Sequence, residues 1–255
     1  MDAIPSRLGD VPLELNPALD AGALAREFAV HGRIHIPDIL TVKAASRLLQ
    51  ALYRETPWGL IFNEGERVRE LGAVPPQEYE KLLGAAIERA RSSHQYFFHH
   101  HRILNNGIVH PAPGHYLRAM AGFLTSRPML DFARLVTGQA GIAGASATAT
   151  LYQPLNFLTI HDDNDSDAPG GGRRLVAYVL NMTPVWHPDW GGALQFFDRR
   201  DHIEESYLPA FNALNMFLVP KFHSVGQVAA FAGSRFSVSG WFESDTPLLR
   251  PKMEL

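Results

Sequence analysis

The chain contains no cysteine. That absence excludes disulfides, thiolate metal ligands, zinc sites built on sulfur and a cysteine nucleophile, so any metal must be held by histidine, carboxylate or backbone oxygen. An excess of one charge is also lacking. With 23 Lys and Arg against 26 Asp and Glu, the net charge is −3, without the basic surplus that nucleic-acid binding asks for. No nucleic-acid partner is expected. No apolar run is long enough to span a bilayer, so no membrane partner is expected either. The opening MDAIPSRLGDVPLEL is acidic and has no apolar h-region, unlike a secretory signal. A cytoplasmic location is the expectation. What remains is ordinary for a globular protein: 46% hydrophobic and 19% charged residues in a chain of 255, enough for one large domain or two small ones.

The texture of the chain changes once, near residue 145. Residues 18–56 read as helix, strand, helix, with Leu48, Leu49, Leu52 and Tyr53 at helical spacing and Thr41 as N-cap of the second helix. The stretch 75–104, ending in the histidine-rich YFFHHHRIL, reads as one long helix. Residues 115–140 suggest two shorter helices, the second starting at Ser126-Arg127-Pro128. From Ala145 onward short runs such as ASATATLYQ, NFLTI, RRLVAYVLNM and SRFSVSGWFE alternate with Gly, Pro, Asn and Asp clusters. So many short strands at near-regular spacing predict a sandwich, jelly roll or barrel. The expected architecture is a mostly helical supporting region (1–144) packed on a jelly roll (145–243), followed by a short tail (244–255), all in one domain. A split into two domains near residue 140 is the alternative.

Twelve histidines and 26 acids produce about one His-x-acid triplet by chance; the chain has three. His202-Ile203-Glu204 follows the charged turn DRRD and reads as a solvated strand start, and His187-Pro188-Asp189 lies too close to the next strand to form a site. His161-Asp162-Asp163 ends the strand NFLTI. In an extended chain residues i and i+2 point to one side, so His161 and Asp163 can address one point. A third ligand must come from elsewhere, and His223, at the start of HSVGQVAAF, is the best candidate. Two histidines and one carboxylate make a facial triad with three adjacent open positions, the set that suits non-haem iron(II).

The strand SRFSVSGWFE adds a fourth element. Alternation puts Arg235, Ser237, Ser239 and Trp241 on one face and Phe236, Val238, Gly240 and Phe242 on the other. Arginine can grip a carboxylate with two parallel hydrogen bonds, and a serine two residues on can add a third. Other polar clusters read as structure. DNDSDAPG begins like a calcium loop but has Ala168 and Arg174 where that loop needs Gly and Glu; with GGG (170–172) it reads as a loop at the mouth of the site. His99-His100-His101, taken as helical, cannot chelate one ion and is assigned to the surface or the substrate cleft. Trp186, Trp190 and Trp241 read as packing, with Trp190 a candidate for the cleft rim.

The order HDD (161–163), RRLVAYVLN (173–181), DWGGALQFFD (189–198) and FHSVGQVAAFAGSRFSVSGWF (222–242) resembles the iron(II)/2-oxoglutarate oxygenases. Within them it is similar to the prolyl-hydroxylase-like branch, especially the ribosomal-protein prolyl hydroxylases. The resemblance implies a double-stranded β-helix over roughly residues 145–243, iron held by His161, Asp163 and His223, and 2-oxoglutarate held at its far carboxylate by Arg235 with Ser237. It places the family's co-substrate tyrosine at Asn181, with Tyr178 three residues earlier and Tyr152 as further candidates. An intact Asp163 favours hydroxylation over halogenation. The expected reaction consumes O2 and 2-oxoglutarate, releases succinate and carbon dioxide, uses ascorbate as reductant, and hydroxylates a prolyl or other side chain of a protein or peptide. A free amino acid or small metabolite is the alternative substrate. A non-catalytic jelly-roll binding module is the alternative of another class, and Arg235 separates the two, because a pure metal-binding jelly roll needs no guanidinium aimed at the site.

Overall fold

The computed structural model describes residues 11–164 and 174–245; most of the loop expected at 163–172 and nearly all of the tail lie outside the described residues. Five α-helices and thirteen strands come in the order α1 (Ala21–His31), β1 (Arg33–Ile36), α2 (Val42–Gln50), β2 (Gly59–Glu64), β3 (Arg67–Leu71), α3 (Pro76–Arg89), β4 (Tyr96–Asn105), β5 (Ile108–Val109), α4 (Leu117–Leu124), α5 (Arg127–Thr137), β6 (Gly144–Tyr152), β7 (Phe157–His161), β8 (Arg174–Asn181), β9 (Leu194–Phe197), β10 (Ile203–Tyr207), β11 (Ala213–Leu218), β12 (His223–Val225) and β13 (Arg235–Glu243).

Local chemistry sets the helix ends. The Asp20 side chain accepts the Ala23 N–H before α1, and Gly32, at φ 63°, returns its N–H to the Phe28 carbonyl after it. Ser126 accepts the Met129 N–H at the start of α5, and Gly138 closes it in the left-handed region. Thr41 does precede α2, but its side chain makes no capping bond, and the helix runs on through one wider turn, Ala51–Glu55.

The strands hydrogen-bond in the order β1-β11-β8-β13-β6-β4-β7-β12-β9-β10, every adjacent pair antiparallel. The two ends of this path meet. Arg33 on β1, 5% exposed, donates to Glu204 and Glu205 of β10, and His35 packs on Tyr207 with ring centroids 5.4 Å apart. The result is a nearly closed antiparallel jelly roll.

Period-two alternation gives this sheet two unlike faces. On the outer face Ala145, Ala147, Ala149, Val176, Leu180, Val238 and Phe242 join the buried stripes of the helices, such as Leu48 of α2, Leu52 of the wider turn after it, and Leu130, Ala133 and Val136 of α5, in one core. The alanines of β6 keep that face low, so helices approach closely. At about 25 cal/mol per Å² this apolar burial is the main stabilising term of the domain. The inner face carries the polar partners of the same strands. Gly240 allows the two faces to coexist: a Cβ there would lie 1.9 Å from the Ser146 carbonyl and 2.9 Å from the Tyr178 hydroxyl. Tyr178 passes through that gap and donates to the Ser146 carbonyl at 2.8 Å.

Two expectations need correction. The region 1–144 is not simply a helical layer: β1 and β4 are members of the main sheet, and β2, β3 and β5 extend it from β4. The long helix expected over 75–104 ends at Arg89, and Tyr96–Asn105 is a strand. The helix formers stop there, and the aromatic and histidine-rich run beyond them pairs with β2, β6 and β7 and is covered on both faces. His99, His100 and His101 therefore alternate across β4. His99 stacks on Tyr79 at 5.4 Å, His100 faces Glu70 with its Nε2 3.9 Å from the carboxylate, and His101 lies 5.9 Å from the His115 ring. They are partly or fully buried, and none of them lines the cavity that His161 and Arg235 share.

Burial pulls all three imidazoles below their ordinary pKa. The unfolded chain binds these protons near the usual histidine value, so stability present above it is lost as pH falls toward the depressed folded values. The urea midpoint is expected to drop between about pH 7.5 and about pH 5.5, on either side of the ordinary histidine pKa; equal midpoints would contradict the assignment of three buried neutral histidines.

Candidate metal centre and co-substrate cavity

β7 and β12 lie side by side with His161 opposite His223 in register. β7 ends at His161, and the chain then turns: Asp163 adopts φ 59°, a left-handed conformation that Asp tolerates better than most residues. The His161 and Asp163 side chains thus converge through a turn, not through the i, i+2 alternation of an extended strand. Nε2 of His161 is 3.3 Å from one carboxylate oxygen of Asp163, and Nε2 of His223 is 3.4 Å from the other. One donor atom from each of the three lies within 4.8 Å of the others, and no other such group occurs among the described residues.

The partners of these side chains fix how they point. Nδ1 of His161 meets the Thr159 carbonyl at 3.0 Å, and Nδ1 of His223 meets the Lys221 carbonyl at 2.7 Å. With both Nδ1 atoms engaged, both Nε2 atoms are turned to the common point, the arrangement typical of imidazole ligands. Trp241 Nε1 donates to the Asp163 carboxylate at 3.0 Å, and the Arg174 guanidinium covers the Trp241 ring at 3.6 Å. Burial works to raise the Asp163 pKa, but His161, His223 and Trp241 outweigh it and hold the carboxyl down at about 2. Burial, reinforced by the neighbouring His161, takes His223 down to about 4. An ionised carboxylate and a neutral imidazole are the forms a divalent cation requires.

The triad opens on a cavity of about 390 Å³ whose wall includes Arg235, Ser237, Thr150 and Tyr152. Arg235 is 1% exposed. Its Nη2 donates to Asn181 Oδ1 at 3.2 Å, its guanidinium lies 5.0 Å from the Tyr152 ring centroid, and its Nε is buried with no hydrogen-bond partner. No carboxylate among the described residues forms an ion pair with it. Ser237 and Thr150 share a hydrogen bond at 2.7 Å. A buried cation without a counter-ion, beside two hydroxyls, fits the carboxylate of a small anion. A larger hollow of about 560 Å³ lies elsewhere, around Asn106, Thr125 and Glu243; it contains none of these groups.

Several residues named from the sequence sit differently from expectation. Tyr178 does not offer its hydroxyl to the cavity; alternation turns it to the outer face, where it bonds Ser146 and packs on Phe242 at 5.0 Å. Asn181 stands behind Arg235 and orients it. Tyr152 does line the cavity, with Phe98 stacked on it at 4.8 Å. Trp190 packs against Trp186 and His187 and is not part of the wall. The Gly191-Gly192 pair has a positioning role: both have φ 64°, and a Cβ on Gly192 would lie 2.9 Å from Trp186 and 3.6 Å from the Arg235 stem. Sequence reasoning missed His94, Tyr96 and Phe98, which also line the cavity, because the segment that holds them was read as helix. It also took Trp241 for packing alone, although its place on the Arg235 face was legible.

Residues 147–243 match the model of the 2OG-Fe(II) oxygenase superfamily. The matched segment, under half of the chain, contains all three residues of the triad and Arg235. Among curated proteins, mouse prolyl 3-hydroxylase OGFOD1 is 36% identical over 107 residues, 39% of this chain and 18% of that protein. Drosophila melanogaster prolyl 3-hydroxylase sudestada1 is 30% identical over 114 residues, 40% of this chain and 20% of that protein. The match thus spans about a fifth of these relatives' length. Among solved structures, a Trichoplax adhaerens prolyl hydroxylase in complex with a hypoxia-inducible-factor peptide superposes with TM-score 0.58 at 14% identity, covering 88% of this chain and 89% of that one. A Burkholderia pseudomallei oxidoreductase of the 2OG-Fe(II) oxygenase family gives 0.60 at 12% identity, with 92% and 96% covered. At these identities the likeness is one of fold: a double-stranded β-helix. Iron(II) and 2-oxoglutarate are the groups this superfamily implies, and the donor set and the unpaired Arg235 fit them.

Trp241→Phe keeps the ring under Arg174 but removes the N–H from Asp163. Iron(II) affinity is expected to fall by roughly 10- to 100-fold, the usual cost of losing an outer partner of a ligand, with the thermal midpoint little changed. Unaltered iron affinity would show that Trp241 packs without orienting the carboxylate.

Proposed function

We propose that the protein is an iron(II)/2-oxoglutarate-dependent dioxygenase that hydroxylates a prolyl residue within a polypeptide. The observation that carries this reading is Arg235: a fully buried guanidinium, without a carboxylate partner among the described residues, on the wall of the cavity that the triad enters. In that reading His161, Asp163 and His223 hold iron(II) and leave adjacent positions open. Arg235 grips the far carboxylate of 2-oxoglutarate, with Ser237 and Thr150 beside it. Iron(II) with 2-oxoglutarate and O2 supplies oxidative decarboxylation to succinate and carbon dioxide, coupled to hydroxylation of an unactivated carbon.

The chain's own residues contribute position and dryness. Asn181 and the Gly192 turn fix the guanidinium, Trp241 fixes the carboxylate, and the burial of Thr150, Tyr152 and Ser237 keeps water from the closed end. The cavity wall also bears on substrate class. Among the described residues its one carboxylate is Asp163, which belongs to the triad. A free amino acid would bring an ammonium with no partner for it, a desolvation cost that an internal peptide residue does not incur. The curated relatives named as prolyl 3-hydroxylases agree with that class.

Arg235→Lys keeps the charge but loses the paired geometry. Loss of a charge-assisted hydrogen bond costs about 1.5–3 kcal/mol, so 2-oxoglutarate affinity is expected to drop roughly tenfold to more than a hundredfold while iron affinity stays the same. Anaerobic titration of 2-oxoglutarate into the iron-loaded proteins, followed by charge-transfer absorption, measures this directly. Equal affinities would remove Arg235 from the site and, with it, the main support for catalysis.

A further inference from the structure

The cavity has two ends of different character. At the closed end Arg235, Tyr152 and Ser237 are all at most 3% exposed. At the open end Tyr96 and Trp241 are half-buried and His94 is exposed, so a second reactant must enter from that side. A row of rings runs from one end to the other, from His94 just before β4 along the inner faces of β4 and β6. Centroids are 5.9 Å apart from His94 to Tyr96, 5.9 Å from Tyr96 to Phe98 and 4.8 Å from Phe98 to Tyr152, where the row meets the Arg235 guanidinium.

The inner half of this row belongs to the co-substrate under the proposed function. The outer half has no role there, yet it is rigidly held. Tyr96 pairs with Leu158 of β7, and its N–H donates to Asn63 Oδ1 at 3.1 Å. His94 Nδ1 lies 3.0 Å from Thr159 Oγ1, which also accepts the Gln95 N–H at 2.8 Å. The His94 ring is 5.4 Å from that of His161, so whatever rests against these two rings sits beside the triad. Aromatic faces are electron-rich and apolar. They suit a saturated, uncharged ring whose C–H groups are polarised by an amide nitrogen, which describes an internal prolyl residue.

We infer that Tyr96, flanked by His94, is the platform that receives the pyrrolidine ring of a polypeptide substrate. The inference rests on the oxygenase reading and adds the substrate subsite to it. Tyr96 and His94 are substrate-binding residues in this scheme and touch neither iron nor 2-oxoglutarate.

The test uses the full chain loaded with iron(II), with 2-oxoglutarate, O2 and the doubly blocked peptide acetyl-Gly-Ala-Pro-Gly-Ala-amide. It reads both succinate and the addition of one oxygen atom to the peptide by mass spectrometry. Tyr96→Leu keeps the apolar bulk but loses the ring face. Its peptide KM is expected to rise roughly three- to tenfold, the range of one aromatic contact, with the effect in KM and not in kcat. Tyr96→Phe is expected to match the wild type. Anaerobic 2-oxoglutarate affinity, measured in the same variants, is expected to be unchanged. An unchanged KM in Tyr96→Leu, or an equal loss of 2-oxoglutarate affinity, would overturn the platform. Succinate formation by the wild type without oxidation of the peptide would overturn the prolyl subsite while leaving the oxygenase reading intact. No succinate under any condition would overturn the oxygenase reading itself.

Discussion

A single buried charge organises the interior. Taking a guanidinium out of water costs on the order of several kcal/mol unless partners replace the solvent. Around Arg235 the protein provides only part of that replacement: the Asn181 carbonyl oxygen at 3.2 Å and the face of Tyr152, with Nε left unpartnered. Burial accordingly pulls Arg235 below its ordinary pKa, against the pull of Tyr152. A structure that carries this cost without a carboxylate partner among the described residues is suited to take one from outside. The Gly192 turn, which lets the Arg235 stem pass, and the β13 register that places Ser237 beside it serve the same end.

That arrangement depends on the unlike faces of one sheet. Phe236, Val238 and Phe242 anchor β13 in the helix-covered core, and the same alternation fixes Arg235, Ser237 and Trp241 on the inside. Functional side chains carried on strands whose other face is densely packed are held more precisely than side chains on loops. Asp163 is the exception, since it lies just past the end of β7. There Trp241, His161 and His223 do the holding that a strand would otherwise do. The contacts of Arg33 with Glu204 and Glu205 close the path of strands around this interior.

The parts of the fold legible in the sequence are those where one period dominates. The alternation of SRFSVSGWFE separates Arg235 from Phe236 without any structure, and the strands from Ala145 onward are marked by their turn residues. The run Tyr96–Asn105 was illegible for a physical reason. It is covered on both faces, so it shows no polar and apolar alternation, and it comes after a true helix with little punctuation beyond Ser92-Ser93. The misreading hid His94, Tyr96 and Phe98. Tyr178 was misplaced because distance along a strand was weighed above parity: three residues from Asn181 is the opposite face. The convergence of His161 and Asp163 was expected for a reason that does not hold, since a left-handed turn brings it about.

Under the proposed function, O2 is split between 2-oxoglutarate and a substrate at the His161, Asp163 and His223 centre. Isotopically labelled O2, supplied with iron(II), 2-oxoglutarate and cell-extract polypeptides, tests it most directly. One labelled oxygen atom is expected in the succinate formed and one in a modified prolyl residue. Succinate without label, or labelled succinate from the wild type and an equal yield from Asp163→Asn, would contradict it.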